Sequence, residues 1–552
     1  MNQKTAKRNF MVQGAILGIS SIIVRLIGVV YRIPLTNIIG DKGIGYYSVA
    51  FDIYQILLLL SSYSLPLAVS KMVSARVALG QYRRSRKILV NALIFAGIVG
   101  ICAFLITFLL ADFFAGTVMK VPQSAVALKV LAFALIILAV LGVLRGYFQG
   151  LGNMVPTAVS NIAEQILNAI VSVVAAGALF GYGSTVAAGG GYDYSNAPEA
   201  FGAAGGTMGT VAGAFLAMLI LIFWMVRYNK KNRYLLKQDA SEEESTSEII
   251  LILIMTIVPV ILNTAIYNLS SVVDKFIFSN IMVAKGMSPD VRDSLIGMYS
   301  GKYWLIVNIP IALSSALASA LIPSIVTSKA RRSRRDVISK VRSAIQLITL
   351  VAFPCAAGIG FLSRPIINLL FPSSEDPDKI ALMLSVGCLT VVFYCLSTIT
   401  NSILQGIDKM RIPVFHSAIS LAVNCALLAL LLWLFDMDVF GWIIADMVFA
   451  LLMCILNARS LKKYLRYRQE IRNTFIKPVE ASIIMGVLAF FFQELLNRVS
   501  GHSFDVVITI IFAVIVYVIL LFVMRILTAK KLMMIPGGRR AIPILRKLHL
   551  LR

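Results

Sequence analysis

Val29-Val30-Tyr31-Arg32-Ile33-Pro34-Leu35-Thr36-Asn37-Ile38-Ile39 closes the first long apolar segment, and Val272-Val273-Asp274-Lys275-Phe276-Ile277-Phe278-Ser279-Asn280-Ile281-Met282 repeats it in mid-chain. Each copy carries a cation, Arg32 or Lys275, in sequence otherwise suited to lipid. An ionisable side chain inside a membrane span is expensive and faces a bundle interior or a wet cavity. A cation used twice therefore predicts two related halves around a charged central chamber.

The composition supports a membrane setting. Of 552 residues, 59% are hydrophobic and 14% charged, with a mean hydropathy of +0.86, which argues against a string of soluble domains. Apolar runs long enough to cross roughly 30 Å of hydrocarbon as helix recur throughout, whereas the alternating pattern of barrel strands does not. The expected fold is an all-α polytopic membrane protein with fourteen transmembrane helices, at 11–38, 46–70, 88–111, 123–146, 156–181, 204–227, 249–282, 297–323, 342–363, 379–404, 412–435, 439–458, 479–497 and 505–527. The six cysteines lie in apolar segments without metal-ligand spacing and read as small core residues. The first segment is too long and too polar-punctuated for a cleaved signal, and is read as a mature helix.

The formal charge of +25 falls in short bursts between apolar runs rather than on one basic face, so it reads as topology and not as nucleic-acid binding. With the N-terminus cytoplasmic, the inner segments collect Lys4 to Arg8, Lys71 to Lys87, Arg145, Arg227 to Lys237, Lys329 to Arg342, Lys409 and Arg411, Arg459 to Lys477 and the tail from Arg525. These hold 39 of the 51 Lys and Arg, and the outer segments hold nine. That asymmetry places both termini inside, which requires an even number of spans. Two loops stand out: an outer Gly-rich one at about 182–203, with Gly189-Gly190-Gly191, Asp193 and Glu199, and an inner one at 228–248 containing Glu242-Glu243-Glu244.

The repeat extends beyond the opening pair. Gly45-Tyr46-Tyr47-Ser48 answers Gly297-Met298-Tyr299-Ser300, Arg83-Arg84-Ser85-Arg86 answers Arg331-Arg332-Ser333-Arg334, and the turn Gln149 to Pro156 answers Gln405 to Pro413. Spans 1–6 thus match spans 7–12. Six is even, so the halves are parallel six-helix bundles related by a pseudo-two-fold axis along the membrane normal, with two extra C-terminal helices. The expected organisation is a first half at 1–227, a cytoplasmic linker at 228–248, a second half at 249–458, and the last two spans with a basic tail at 459–552.

Placed by depth, Arg25 falls near the midplane. Arg32, Asp52, Gln55, Asp274, Lys275 and Lys302 fall in the outer half of their spans, and together with Arg25 and Asn263 they are candidates to line one substrate cavity. Asn263, Tyr267, Ser270 and Asp274 share one face of span 7, and Asn161, Glu164 and Asn168 one face of span 5. The competing reading is that the charges only lock helices together, Arg32 with Asp52 or Lys275 with Asp274, that Lys302 snorkels to the interface, and that the stripes bond between helices. The basic cluster Lys71 to Lys87 suits topology and contact with anionic membrane lipids, and as a lesser reading the gathering of a phosphorylated substrate. The chain has no phosphate-loop motif, no metal cluster and no loop long enough for a catalytic domain, so it reads as a non-enzyme without cofactors.

Val24 to Gly28 (Val-Arg-Leu-Ile-Gly), Pro66 to Lys71 (Pro-Leu-Ala-Val-Ser-Lys), the Gln-Gly turn before Pro413 and its shorter copy before Pro156 resemble the polysaccharide-transporter branch of the multidrug/oligosaccharidyl-lipid/polysaccharide exporter superfamily. Within it, the chain is similar to the group of stage V sporulation protein B and the MurJ-type lipid II flippases, over essentially its whole length. The resemblance implies export of an undecaprenyl-pyrophosphate-linked saccharide across the bacterial cytoplasmic membrane by alternating access, a cationic cavity for the pyrophosphate, and cell-wall synthesis proteins as partners. Arg25 matches the family's first-span arginine. Arg32 lies one position from a second cavity arginine, and the span-2 arginine of Gram-negative members meets Leu57-Leu58 here, leaving Lys275 and Lys302 to supply charge. Coupling to Na⁺ or H⁺ at Glu164 or Asp274, or to the membrane potential, is expected to power the cycle. The favoured substrate is the peptidoglycan precursor lipid II; the rival readings are a flippase for another lipid-linked polysaccharide unit, a cation-coupled drug exporter of the same superfamily and a non-transporting scaffold for cell-wall enzymes.

Overall fold

The computed structural model describes residues 3–526 except 63, 189–195, 233, 235–238, 240–243, 331–332, 468, 500–501 and 503. All regular structure among them is helical. The principal helices are α1 (Gln3–Val30), α2 (Arg32–Ser61), α3 (Leu65–Ala78), α4 (Tyr82–Leu109), α5 (Ser124–Gly150), α6 (Val155–Ala188), α7 (Ala197–Lys231), α8 (Thr246–Ala284), α9 (Pro289–Gly297), α10 (Trp304–Ala330), α11 (Arg334–Phe361), α12 (Ser363–Leu370), α13 (Pro377–Val386), α14 (Cys388–Gly406), α15 (Arg411–Trp433), α16 (Val439–Leu465), α17 (Lys477–Val499) and α18 (Asp505–Val523). Among the described residues, eleven helical stretches are long and apolar enough to cross a bilayer, and Ile16–Val30 and Thr246–Val258 are shorter apolar helices. Exposed Ile508, Ile511, Ile515 and Ile519 on α18 show why lipid, not water, is the medium: an apolar outer face is stable only there. The protein is a multi-pass membrane protein.

Three expected boundaries shift, each for a local reason. Arg32 starts a new helix instead of continuing the first, and Gly40 turns α2 at φ +69°, a conformation that costs glycine least. The expected span 46–70 is broken between Ser61 and Leu65, where Pro66 takes the first turn of α3; proline is tolerated there because its missing N–H has no helical acceptor to lose. The expected loop at 182–203 is largely helix, since α6 runs on to Ala188 and α7 restarts with Pro198 in its first turn. Gly189 to Gly191 and Asp193 lie outside the described residues.

The chain forms two compact units, Met1–Gly301 with Leu428–Asp436, and Lys302–Leu427 with Met437–Arg552. In the first, Leu65, Val69 and Val73 of α3 pack with Leu89 of α4, Leu144 and Phe148 of α5, Leu221 of α7 and Leu253 of α8. In the second, Ala481, Met485, Ala513, Tyr517 and Leu521 join α17 to α18, and the Tyr517 hydroxyl donates to the Leu350 carbonyl at 3.0 Å.

Lipid offers helices no hydrophobic gain on association, so close packing must come from small residues. Gly142, Gly146 and Gly150 of α5 recur every fourth residue against α3, where a Cβ on Gly146 would sit 2.6 Å from the Pro66 carbonyl oxygen. Gly205, Gly209 and Gly213 of α7 do the same against α6. A third close approach joins the two copies of the Gly-x-Tyr-Ser repeat. A Cβ on Gly45 would lie 2.4 Å from the Asp293 carbonyl oxygen, and one on Gly297 would lie 1.7 Å from that of Asp41. Each aspartate stands four residues before its own glycine, so the two contacts between α2 and α9 are reciprocal.

This crossing tolerates no side chain. Gly45→Val or Gly297→Val should cost about 3 kcal/mol or prevent folding. Gly97→Ala, where nothing lies within 4 Å, should be neutral or gain up to about 1 kcal/mol. Thermal unfolding of the three variants in detergent checks the contrast.

Candidate functional site

In the first unit, two consecutive residues of α2 receive the two cations of the opening repeat. Lys275 of α8 places its Nζ 2.6 Å from an Asp52 carboxylate oxygen, with the Ser48 carbonyl at 3.4 Å, and is only 4% exposed. Arg32 lies with its guanidinium carbon 5.9 Å from the centre of the Phe51 ring. Phe51 in turn stacks on Tyr47 at 5.7 Å and contacts Tyr54 at 5.5 Å. An aromatic face attracts a cation when water is excluded, and the stack on Tyr47 with the tilted contact to Tyr54 holds the Phe51 ring in place.

The anticipated Arg32–Asp52 partnership is thus replaced by Lys275–Asp52. Helix phase explains it: Ser48 and Asp52 lie one turn apart and turn the same face of α2 to α8. A buried pair neutralises both members at a desolvation cost, and removing one partner strands the other. Lys275 is therefore held by a carboxylate instead of presenting a bare charge.

The other expected site residues fall in different places. Asp274 is buried and engaged by its surroundings. Gln55 is exposed on α2. Asn263 and Tyr267 lie on α8, with side chains outside the described residues. Lys302 belongs to the second unit, where it donates to Ser374 Oγ at 2.8 Å and faces the Phe371 ring at 5.7 Å. Buried to 3% exposure, it does not snorkel to a water interface. Arg25 is exposed on α1 amid exposed Ile22, Ile23 and Leu26.

Glu164, the candidate coupling acid on α6, forms an ion pair with Arg145 of α5, Nη2 to Oε2 at 2.5 Å, and Arg145 Nε also reaches Ser160 Oγ at 3.4 Å. Sequence reasoning had spent Arg145 on topology. The helical hairpin was the available clue: Arg145 stands eleven residues before Pro156 and Glu164 eight after it, so antiparallel α5 and α6 bring them level.

A second polar cluster surrounds the Gly45–Gly297 crossing. Arg292 and Asp293 of α9 pair at 2.7 Å and are 2% and 1% exposed. Lys42 reaches Asp290 at 3.0 Å, and Asn196 donates to the same oxygen at 3.0 Å. These two hydrogen bonds hold the Asp290 carboxyl below its usual range. Burial pushes the Asp293 carboxyl up to about 6, against the opposing pull of Arg292. Asp41 is buried beside them, and among the described residues neither the Tyr46 hydroxyl nor Glu199 Oε2 finds a hydrogen-bond partner.

Two tests follow from these pairs. Lys275→Ala and Asp52→Ala should each cost about 3–5 kcal/mol, because each strands a buried charge, while Asp52→Asn/Lys275→Gln should lie much closer to wild type; a thermodynamic cycle on detergent-solubilised protein measures the coupling. For Asp293, the folded carboxyl titrates above its unfolded value of about 3.9, so the folded state holds a proton that the unfolded chain releases. Its stabilising contribution is present below about pH 4 and is lost as pH rises through about 6. The melting temperature should fall over that window relative to Asp293→Asn and run parallel to it above pH 7.

Comparison with known proteins places this architecture. The chain matches the family described as "Polysaccharide biosynthesis protein" over residues 11–329, and "MatE" over 301–430. It is 26% identical over 499 residues to the lipid II flippase MurJ of Bacillus subtilis (strain 168), covering 87% of this chain and 88% of that one. It is 22% identical over 534 residues to stage V sporulation protein B of the same organism, covering 96% and 98%. Among solved structures, the inward closed conformation of lipid II flippase MurJ superimposes with a TM-score of 0.67 at 14% identity, over 92% of this chain and 98% of that one. With the family matched across more than half its length, the chain belongs to the polysaccharide biosynthesis protein family.

Proposed function

We propose that the protein is a flippase that moves an undecaprenyl-pyrophosphate-linked saccharide, with the peptidoglycan precursor lipid II as the leading candidate, from the inner to the outer leaflet of the bacterial cytoplasmic membrane. The observation that carries the reading is Arg25. Exposed on an apolar helix and flanked by exposed Ile22, Ile23 and Leu26, its charge is costly toward lipid and is proposed to turn toward a wet cavity. Arg25 matches the family's first-span arginine and is the cation proposed to meet the pyrophosphate, with Arg32 second. A relative named as a lipid II flippase supports the substrate class.

In this reading the fourteen spans form two parallel six-helix halves with two helices appended, both termini are cytoplasmic, and the sugar-pyrophosphate head passes between the halves while the polyprenyl tail stays in lipid. The Gly45–Gly297 crossing with its charged cluster closes the outer side. With the inside negative, carrying two negative charges outward is favoured by roughly 4–5 kcal/mol at 100 mV, enough to drive net export. Na⁺ or H⁺ resets the carrier through Glu164 or Asp274. Protonation of Glu164 releases Arg145 for an incoming anion, which gives that pair a mechanical use. The match to "MatE" over 301–430 favours a second reading, a cation-coupled drug exporter.

Arg25→Ala should reduce translocation of labelled lipid II in proteoliposomes by about 100-fold or more, and Arg25→Lys should keep part of it, because a point charge replaces a bidentate fork. Undiminished translocation by Arg25→Ala would exclude the cavity reading. Drug efflux without any lipid II movement would select the exporter.

A further inference from the structure

On the side that carries the basic loops, Lys71 to Lys87 contain six cations within seventeen residues. Two acids from the connection between α7 and α8 reach across to them. Glu244 places one carboxylate oxygen 2.6 Å from Arg76 Nε and 3.7 Å from Arg84 Nη1, and Asp239 accepts from the Arg83 backbone N–H at 2.6 Å. Glu244 is well shielded, with its side chain 12% exposed, while Arg76 and Arg84 keep about a quarter of theirs. These contacts join residues more than 150 positions apart and all lie within the first unit. The acids are the acidic end of a linker that otherwise looked only like a spacer.

We propose that this basic mouth is a binding site for a phosphate-bearing group, and that Glu244 and Asp239 are its built-in competitors: an acidic strap that occupies the site until a phosphate displaces it. The chemistry favours exchange. One carboxylate brings a single negative charge and two acceptor oxygens to two guanidiniums. A phosphate ester or diphosphate brings up to two charges and at least three acceptor oxygens, and it fits the guanidinium fork in a bidentate manner. Displacement also frees the start of α8, because Glu244 precedes Thr246, whose hydroxyl accepts from Asn91 at 3.5 Å. Strap release would therefore couple arrival of a phosphate to the helix that carries Asp274 and Lys275. The site does not depend on the transport reading, since it requires only an anion and the strap.

Equilibrium dialysis of radiolabelled inorganic pyrophosphate against the purified full-length protein tests it directly. Glu244→Gln should bind about tenfold more tightly than wild type, the size of one partly buried charge contact removed from the competitor. Arg76→Gln/Arg84→Gln should bind at least tenfold more weakly. Because that double variant can fold poorly, tryptic cleavage of the 228–248 segment in wild type gives a second readout, with faster cleavage expected at saturating pyrophosphate. Unchanged affinity in Glu244→Gln, or cleavage indifferent to pyrophosphate, would overturn the proposal. Repeating the binding in phosphatidylglycerol and phosphatidylcholine nanodiscs separates the sources. Competition by phosphatidylglycerol alone identifies a leaflet headgroup as the resident ligand, and equal binding in both identifies a free or substrate-borne phosphate; either result upholds the site. None of these measurements uses translocation, so their failure and that of the flippase reading are independent.

Discussion

A charge inside hydrocarbon must find its counter-charge within the protein, and that single requirement organises the first unit. Lys275 takes Asp52, Arg145 takes Glu164, and Arg292 takes Asp293. Each pair joins two different stretches of sequence or caps a crossing. Each removes a cation that composition alone would offer to a ligand. The number of basic residues is therefore a poor guide to how many are offered to a ligand.

The same medium explains the glycines. Without a hydrophobic gain between helices, affinity comes from backbone approach and from polar contacts at the seam. On α5 and α7 the four-residue glycine spacing supplies approach along a whole interface. At the α2–α9 crossing the approach is equally close, most of the short helix α9 is buried, and polar groups cluster immediately around the contact. Backbone approach and buried polar pairs thus occur together at this crossing, where α5 and α7 rely on glycine spacing.

Much of the fold was legible in the sequence. Helix type followed from apolar run length, and the two copies of the Gly-x-Tyr-Ser repeat meet at the Gly45–Gly297 crossing. The breaks at Tyr31–Arg32 and Ser61–Leu65 were less legible, because hydropathy averages over a kink while Gly40 and Pro66 act on one residue each. The site was legible by residue type and not by partner. Depth along the spans puts Arg32, Asp52 and Lys275 at a similar level, and the structure brings Lys275 to Asp52 and Arg32 to Phe51, yet which acid meets which cation depends on helix phase between α2 and α8, and a one-residue rotation changes it. Lys302 finds Ser374 and the Phe371 ring, partners about seventy residues on, which its depth along its own span does not reveal.

The linker shows how a charge pattern can be read too simply. Basic residues beside a membrane are explained by topology, and an acidic run beside them by solubility, so neither asks for a function on its own. Their meeting does. Topology needs the cations near the membrane and is indifferent to whether they are neutralised, and solubility needs the acids in water. An acid drawn out of water onto two arginines, with its side chain 12% exposed, serves neither purpose and spends side-chain entropy. Its presence is accounted for if the contact is meant to be exchanged, because a weak internal anion keeps a strong anion site ordered and selective until a better ligand arrives.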